Sequence, residues 1–169
     1  MDIFSVAVDG PAGSGKSTIA KLIAKELNIV YIDTGAMYRA VALFCIKSGI
    51  DTKNKEAVCS VLDKINMTIR PEKAGQRIFL DNEDVTDEVR SQKAGAGASD
   101  VAAIGDVREK LVAIQRKMAE GMSVIMDGRD IGTNVLPYAP VKIYLSAGAD
   151  ERAKRRCSEF EKLGQKYDF

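Results

Sequence analysis

The chain has 169 residues, of which 46% are hydrophobic and 29% are charged, a composition typical of a single soluble globular domain. Its formal net charge of +1 argues against a protein that coats nucleic acid or an anionic membrane surface. No apolar run approaches the ~20 residues of a membrane-spanning helix, and the absence of histidine excludes an imidazole base or a histidine-bound metal.

The first fifty residues alternate strands with helices. Residues 3–8 form a short apolar run that predicts a buried strand, and a glycine-rich loop follows it. Apolar residues then recur at helical spacing from Ile19 to Leu27. Residues 29–33 predict a second strand and residues 36–49 a second helix. This β-α-β-α order is typical of a parallel sheet.

The middle of the chain predicts a different organisation. Residues 54–65 have helical spacing, and residues 67–86 contain short apolar segments separated by turn residues, which predict antiparallel strands. We interpret this part as a small lobe inserted into the parallel fold.

The last third of the chain returns to the first pattern. An apolar stripe from Val107 predicts a long helix that Gly121 ends. Residues 123–128 and 141–148 predict two further buried strands. A final helix begins near Asp150 and carries several arginines.

The cysteines and the N-terminus favour a cytoplasmic protein. Cys45, Cys59 and Cys157 show no C-x-x-C spacing, which argues against a disulfide framework or a zinc site and suits a reducing compartment. The opening residues MDIFSVAVDG contain neither the basic segment nor the cleavage site of a secretory signal. We expect a cytoplasmic monomer with no nucleic-acid or membrane partner.

Residues 10–17 follow the pattern G-x-x-x-x-G-K-S between the first strand and the first helix. In such a loop the backbone N–H groups turn inward and form an anion site at the helix N-terminus. Lys16 would reach the β- and γ-phosphates of a nucleotide, and the Ser17 hydroxyl would bind Mg²⁺. The pattern assigns nine residues to ATP binding: Gly10, Pro11, Ala12, Gly13, Ser14, Gly15, Lys16, Ser17 and Thr18.

The loop alone does not identify the fate of the phosphate, because NTPases, GTPases and small-molecule kinases share it. A guanine-reading N-K-x-D motif has one near match, NKEA at residues 54–57, which lacks the aspartate. Asn54 is better explained as a helix cap. A motor or nucleic-acid ATPase would be longer and more basic than this chain.

Two polar segments follow core strands and reach the same sheet edge, where open α/β folds bind ligands. The segment DTGAMYR (33–39) begins a helix, and an ordinary cap would explain part of it. The segment DGRDIGT (127–133) follows another core strand. A cap would explain one carboxylate, not the set of Asp127, Arg129 and Asp130. We therefore interpret both segments as parts of a ligand site.

Five segments together resemble the bacterial cytidylate (CMP) kinases, a family of nucleoside monophosphate kinases. They follow the family's order along the chain and are very specific as a set: DGPAGSGKST (9–18), DTGAMYR (33–39), GASDVAAIGDVRE (97–109), DGRDIGT (127–133) and DERAKRR (150–156). The resemblance implies transfer of a phosphoryl group from ATP to CMP or dCMP, in pyrimidine nucleotide metabolism.

The resemblance also implies the architecture, a three-layer α/β P-loop kinase fold with a parallel sheet in one domain over residues 1–169. The monophosphate-binding region would span residues 33–110 with an inserted lobe at about 64–95, and a helical lid would begin within 150–169. Members of the family continue past the arginine helix through a further strand and helix, and this chain ends before them.

By resemblance, seven residues would bind CMP: Asp33, Thr34, Arg39, Ser99, Arg108, Arg129 and Asp130. Arg39 and Arg129 would hold the CMP phosphate, a task that suits a planar guanidinium. Thr34 would add a hydroxyl contact. Base selectivity would come from three members of the set: Ser99, Arg108 and Asp130.

The implied mechanism uses four catalytic residues: Lys16, Arg129, Arg152 and Arg156. Mg²⁺ is the expected cofactor, held with the ATP phosphates by Ser17 and, through water, by Asp127. The acceptor phosphate is already anionic near neutral pH, so no general base is needed. Arg152 and Arg156 lie four residues apart, with Arg155 adjacent, and would close over the transferring group. On their own they would equally fit a solvated charged face.

Two alternatives remain open at this point. The chain would also suit a kinase acting on another small acceptor, such as shikimate or a different monophosphate. It would also suit a binding protein whose conformation is switched by a nucleotide.

Overall fold

The secondary structure follows the alternation expected from the sequence. The computed structural model describes residues 3–72 and 75–162. The strands are β1 (Ser5–Asp9), β2 (Val30–Asp33), β3 (Met67–Glu72), β4 (Gly75–Leu80), β5 (Glu83–Asp84), β6 (Val124–Gly128) and β7 (Val141–Tyr144). The helices are α1 (Lys16–Leu27), α2 (Thr34–Lys47), α3 (Lys55–Val61), α4 (Gln92–Ala102), α5 (Gly105–Met118) and α6 (Ala149–Lys162). A π-helical turn occupies Ile131–Val135.

A four-stranded parallel sheet has the order β2-β6-β1-β7, so β1 lies between two neighbours and β2 is an edge strand. The register pairs Asp33 at the end of β2 with Asp127 on β6, and Val8 of β1 with the same Asp127. The polar residues that end these strands therefore meet at one sheet edge, as the sequence predicted.

Helices cover both faces of this sheet. On one face, Val6, Val8 and Ile125 pack with Ala20 and Ala24 of α1. On the other, alternate strand residues such as Ala7 and Met126 pack with α5 and the π-helical turn. This arrangement confirms the predicted three-layer α/β fold.

The middle of the chain forms a separate antiparallel sheet in the order β3-β4-β5, which confirms the predicted short antiparallel strands. Ile78 and Leu80 of β4 are buried in a large apolar cluster that also includes residues of α2, α4 and α5. Asn54 caps α3 by accepting a hydrogen bond from the backbone N–H of Ala57 at 3.1 Å. This confirms the prediction that Asn54 is a helix cap.

Helix α4 was not predicted, because its sequence QKAGAGASDVA is rich in glycine and lacks large apolar residues. Small residues are needed there since α4 packs closely on α2. A Cβ atom at Gly97 would lie 3.0 Å from the Cβ of Ala42 and 3.0 Å from the Cγ2 of Thr52. Close helix packing thus compensates for poor helix propensity.

The prediction of a buried strand at 141–148 is wrong in extent and in burial. The strand spans only Val141–Tyr144, and its end residues are 44% and 72% exposed respectively. Its place at the sheet edge explains the exposure, since only one side of β7 is paired within residues 3–72 and 75–162. Across residues 3–72 and 75–162, no helix combines the length and apolar character needed to span a bilayer.

Candidate active site

The loop between β1 and α1 forms an anion-binding cradle. Gly15 precedes the helix with a left-handed φ of 97°, and no side chain caps the helix N-terminus. The first N–H groups of α1 are therefore available to a phosphate. The buried Ser14 hydroxyl also lacks a hydrogen-bond partner among the described residues. Both features fit a loop that is completed by a ligand.

Lys16 folds back over this loop. Its ammonium group donates to the carbonyl oxygen of Pro11 at 2.8 Å. Burial lowers the pKa of Lys16, and the nearby Arg129 lowers it further, whereas the carboxylates of Asp127, Asp33 and Asp9 raise it. The amine thus lies close to the carboxylates that end three strands.

Asp127 is the buried centre of this sheet edge. One carboxylate oxygen accepts from the Ser17 hydroxyl at 2.8 Å, and the other accepts from the Tyr31 hydroxyl at 2.8 Å. Burial raises the pKa of Asp127 to about 6, and the negative charge of Asp33 adds to this effect. The hydrogen bonds from Tyr31 and Ser17 and the charge of Lys16 act in the opposite direction.

The residues present fit a magnesium ion bound together with a nucleotide. The Ser17 hydroxyl and the Asp127 carboxylate are hard oxygen donors that lie within hydrogen-bond distance of each other. Mg²⁺ prefers one or two such protein oxygens and completes its shell with phosphates and water. Within the described residues, no cluster of three or more acidic, cysteine or histidine side chains offers an all-protein metal cage.

On the predicted acceptor side, Asp33 and Arg39 are joined directly. One carboxylate oxygen of Asp33 accepts from the backbone N–H of Ala36 at 2.9 Å and so caps α2. The other accepts from the Arg39 guanidinium at 2.8 Å. The Nε atom of Arg39 is buried and has no hydrogen-bond partner in the described part of the chain. Asp33 is therefore both a cap and an orienting group for an arginine with donors to spare.

Of the predicted acceptor-site residues, Thr34 is buried and Arg129 is exposed. The Thr34 side chain is buried, and its hydroxyl donates to the backbone carbonyl of Asp127 at 2.8 Å. That bond ties the start of α2 to the end of β6. Arg129 is exposed at the same edge, close enough to Lys16 to lower its pKa.

The predicted base-reading residues come together in part. The Arg108 guanidinium on α5 donates to the Asp130 carboxylate at 2.5 Å, and both side chains are partly exposed. The Asn134 amide also donates to Asp130, at 3.3 Å. Ser99 lies exposed on α4, and no hydrogen bond joins it to this ion pair among the described residues.

Sequence reasoning missed Asp9 and Tyr31. The buried Asp9 carboxylate accepts from the backbone N–H groups of Ile131 and Gly132, at 2.7 and 2.8 Å, and so fixes the turn that follows Asp130. The available signal was an aspartate at the end of a buried strand, immediately before the phosphate loop. Tyr31 had a weaker signal, because a tyrosine in a strand usually indicates packing alone.

The arginine helix α6 rests on the phosphate loop. Arg152 donates to the carbonyl oxygens of Ala147 and Ala12 at 3.2 and 3.5 Å. Arg155 donates to the carbonyl oxygen of Ser14 at 3.2 Å. The structure thus brings Arg155, which the sequence placed beside the predicted pair, to the loop with Arg152. The side chain of Arg156 lies outside the described residues.

The similarity to known proteins extends along the whole chain. A family model described as cytidylate kinase matches residues 6–169. The chain is 50% identical over 169 residues to the "Cytidylate kinase" of Caldicellulosiruptor saccharolyticus, an alignment that covers 100% of this chain and 75% of the relative. It is 51% identical over 159 residues to that of Limosilactobacillus reuteri (94% of this chain, 70% of the relative). The Geobacillus thermodenitrificans protein of the same name is 51% identical over 154 residues (91% and 69%).

Proposed function

This chain belongs to the cytidylate kinase family, and we infer from this premise that it transfers the γ-phosphoryl group of ATP to CMP or dCMP. The products are ADP and CDP or dCDP. The observation that carries the proposal is the Arg108–Asp130 pair, which lies beside the phosphate-binding loop's sheet edge. Cytosine presents an amine donor at N4 beside acceptors at N3 and O2, so a carboxylate and a guanidinium complement it.

The donor nucleotide binds at residues 10–18. The backbone N–H groups at the start of α1 donate hydrogen bonds to the phosphate oxygens, and the Ser14 hydroxyl supplies a further donor. Lys16 exchanges its contact with the Pro11 carbonyl for the β- and γ-phosphate oxygens. The position of the Lys16 ammonium over the loop supports a role in transfer as well as in binding.

Mg²⁺ would be held by Ser17 and, through water, by Asp127, and it would neutralise charge on the donor phosphates. The Tyr31 hydroxyl keeps the Asp127 carboxylate in place beside Ser17. Asp127 must be ionised to contribute, and the bonds from Tyr31 and Ser17 favour that form.

Arg39 and Arg129 bind the phosphate of the acceptor nucleotide. Arg39 is oriented by Asp33 and keeps a buried, unpaired Nε for the ligand. The attacking oxygen is already anionic, so alignment and charge neutralisation provide the catalysis without a proton acceptor. Arg152 and Arg156 would act on the transferring group from α6, whose closure excludes water as a competing acceptor.

Residues 33–110 would form the monophosphate-binding region, with the lobe at about 64–95 beside it and α6 as the start of the lid. A monomer in the cytoplasm is the remaining part of the proposal. The cytoplasmic location is supported by the free thiols of Cys45, Cys59 and Cys157. Light scattering of the purified chain tests the oligomeric state.

A coupled ADP-release assay over a panel of acceptors tests the proposed function. CMP and dCMP should stimulate turnover strongly, and UMP, AMP, GMP and shikimate should stimulate it weakly or not at all. Slow turnover that no acceptor stimulates would contradict a kinase and indicate a nucleotide-driven switch. A higher kcat/KM for another acceptor would reassign the substrate.

A further inference from the structure

Gln76 of the antiparallel lobe binds the open edge of the parallel sheet. Its side-chain oxygen accepts from the backbone N–H of Asp33 at 2.9 Å, and its side-chain nitrogen donates to the backbone carbonyl of Asp33 at 3.0 Å. The N–H and C=O of one strand residue point to the same side, so a single primary amide satisfies both. Gln76 thus replaces a neighbouring strand at the last residue of β2.

Asp33 connects Gln76 to Arg39, the residue proposed to bind the acceptor phosphate. Gln76 binds both the backbone N–H and the backbone C=O of Asp33, and the rest of β2 pairs with β6 on the other side of the strand. The carboxylate of Asp33 then caps α2 and holds Arg39 at 2.8 Å. The amide of Gln76 is therefore two contacts away from the arginine whose buried Nε is unpaired.

We propose that Gln76 is a positioning residue for the acceptor phosphate, acting through Asp33 on Arg39. The inference rests on the proposed function, in which Arg39 grips the phosphate of CMP. Gln76 needs no contact with the substrate. Through its bonds to Asp33, Gln76 couples the position of the antiparallel lobe to the position of Arg39.

The lobe does not depend on Gln76 for its own stability. Strand β4 is held by backbone pairing with β3 and β5, and by burial of Ile78 and Leu80, which are 1% and 5% exposed. Gln76 itself is only partly buried. Its replacement should therefore leave the fold intact and change the site.

Kinetics of Gln76→Met test the proposal, because methionine keeps the length of the side chain and removes both hydrogen bonds. We expect the KM for CMP to rise by roughly five- to tenfold, the loss typical of one to two hydrogen bonds. The kcat should stay within about twofold and the KM for ATP should not change, since Arg39 binds the phosphate equally before and during transfer. Arg77→Ala is the matched control: it removes the ion pairs of Arg77 with Glu72 and Asp84 from the same strand. This control should leave both KM values unchanged.

Amide hydrogen exchange of the free protein, read by NMR, provides a second measurement that does not depend on turnover. The amide of Asp33 should exchange slowly in the wild type and in Arg77→Ala, and much faster in Gln76→Met. Equal exchange in the wild type and in Gln76→Met would overturn the proposal, and so would equal KM values for CMP. A wild-type chain that CMP does not stimulate would instead contradict the proposed function, and with it the inference that rests on it.

Discussion

Asp127 is a carboxylate whose buried environment disfavours its ionised form. It is 4% exposed and faces Asp33 across the β2–β6 register. The hydroxyl groups of Tyr31 and Ser17 and the Lys16 ammonium offset part of the free-energy cost of ionising Asp127. A raised carboxyl pKa means that the folded state binds the proton more tightly than the unfolded chain does, so ionisation reduces stability progressively between the unfolded and the folded pKa and fully above the folded pKa.

The substitution Asp127→Asn should therefore stabilise the free protein while it impairs transfer. At pH 8 without Mg²⁺ we expect the free energy of unfolding to increase by about 1–3 kcal/mol, since the pKa moves from 3.8 to about 6. The gain should shrink as the pH falls through 6 and vanish near the unfolded value of about 4. Urea titrations across this pH range measure it. The exposed Asp87→Asn is the control, and a similar gain there would contradict the explanation.

The substitution Lys16→Ala should lower kcat by about 10²–10³-fold or more, because it removes the charge that the proposed function places at the transferring phosphates. The fold should be unaffected. Burial lowers the pKa of Lys16, so the charged amine contributes no net stability from its surroundings in the free protein. Steady-state kinetics and far-UV circular dichroism check both points. Lys25→Ala, on the exposed face of α1, should keep full activity.

The substitution Asp130→Asn should narrow the ratio of kcat/KM for CMP to that for UMP. Uracil presents an acceptor at O4 where cytosine has an amine, so an amide at this position tolerates uracil better. The ratio should narrow mainly because kcat/KM for CMP falls, by the equivalent of about 1–3 kcal/mol of transition-state stabilisation. Glu109→Gln, an exposed neutralisation on α5, serves as the control. An unchanged ratio in Asp130→Asn would mean that the base is read elsewhere.

At the scale of elements, the junction between β1 and the phosphate loop depends on one residue without a side chain. Gly10 has a φ of 146°, and a Cβ atom there would collide with the backbone carbonyl oxygen of Leu145. The Leu145 amide in turn donates to the carbonyl of Asp9 at 2.8 Å. The chain after β7 and the chain after β1 therefore approach too closely for any other residue.

The substitution Gly10→Ala should destabilise the protein by at least about 2 kcal/mol, from backbone strain and the displacement of Leu145. ATP affinity should fall as well, because the loop must shift. Thermal and urea unfolding with ATP titrations measure these effects. Gly105→Ala provides the contrast: this glycine begins α5, nothing lies within 4 Å of a Cβ there, and the substitution should be neutral or slightly stabilising. Equal stability of the two variants would contradict the close approach.

The elements show which parts of the structure a single sequence can predict. The phosphate loop, the strand ends at Asp33 and Asp127 and the arginine helix depend on local patterns, and the sequence predicted them. Helix α4 depends on the close approach of α2 at Gly97, which local propensity cannot show. The two hydrogen bonds of Asp9 to Ile131 and Gly132 join positions far apart in the chain, so no local pattern carries them.

At the scale of the whole molecule, the two sheets should differ in their resistance to opening. The central strand β1 is paired on both sides, and Val6, Ala7 and Val8 are buried. In the part of the chain that the structure describes, strand β3 pairs only with β4, and most of its residues are exposed. Burial and pairing together set the free energy of local opening.

Native-state hydrogen exchange should therefore be slowest in β1 and β6 and considerably faster in β3. The difference should remain when ATP is bound, because the proposed ATP site is the loop after β1 and not the lobe. Exchange followed by mass spectrometry or NMR at several denaturant concentrations measures it. Protection of β3 equal to that of β1 would mean that the lobe and the parallel sheet open as one unit.

The strand order has a consequence for the time at which the protein becomes active during its synthesis. Strand β1 is translated well before both of its partners, which begin at Val124 and Val141. Helices α2 to α5 and the antiparallel lobe find their contacts much nearer along the chain and can collapse first. The phosphate loop thus leaves the ribosome before the lobe and is ordered after it. A nascent chain halted before Val141 should have a folded lobe and no nucleotide affinity.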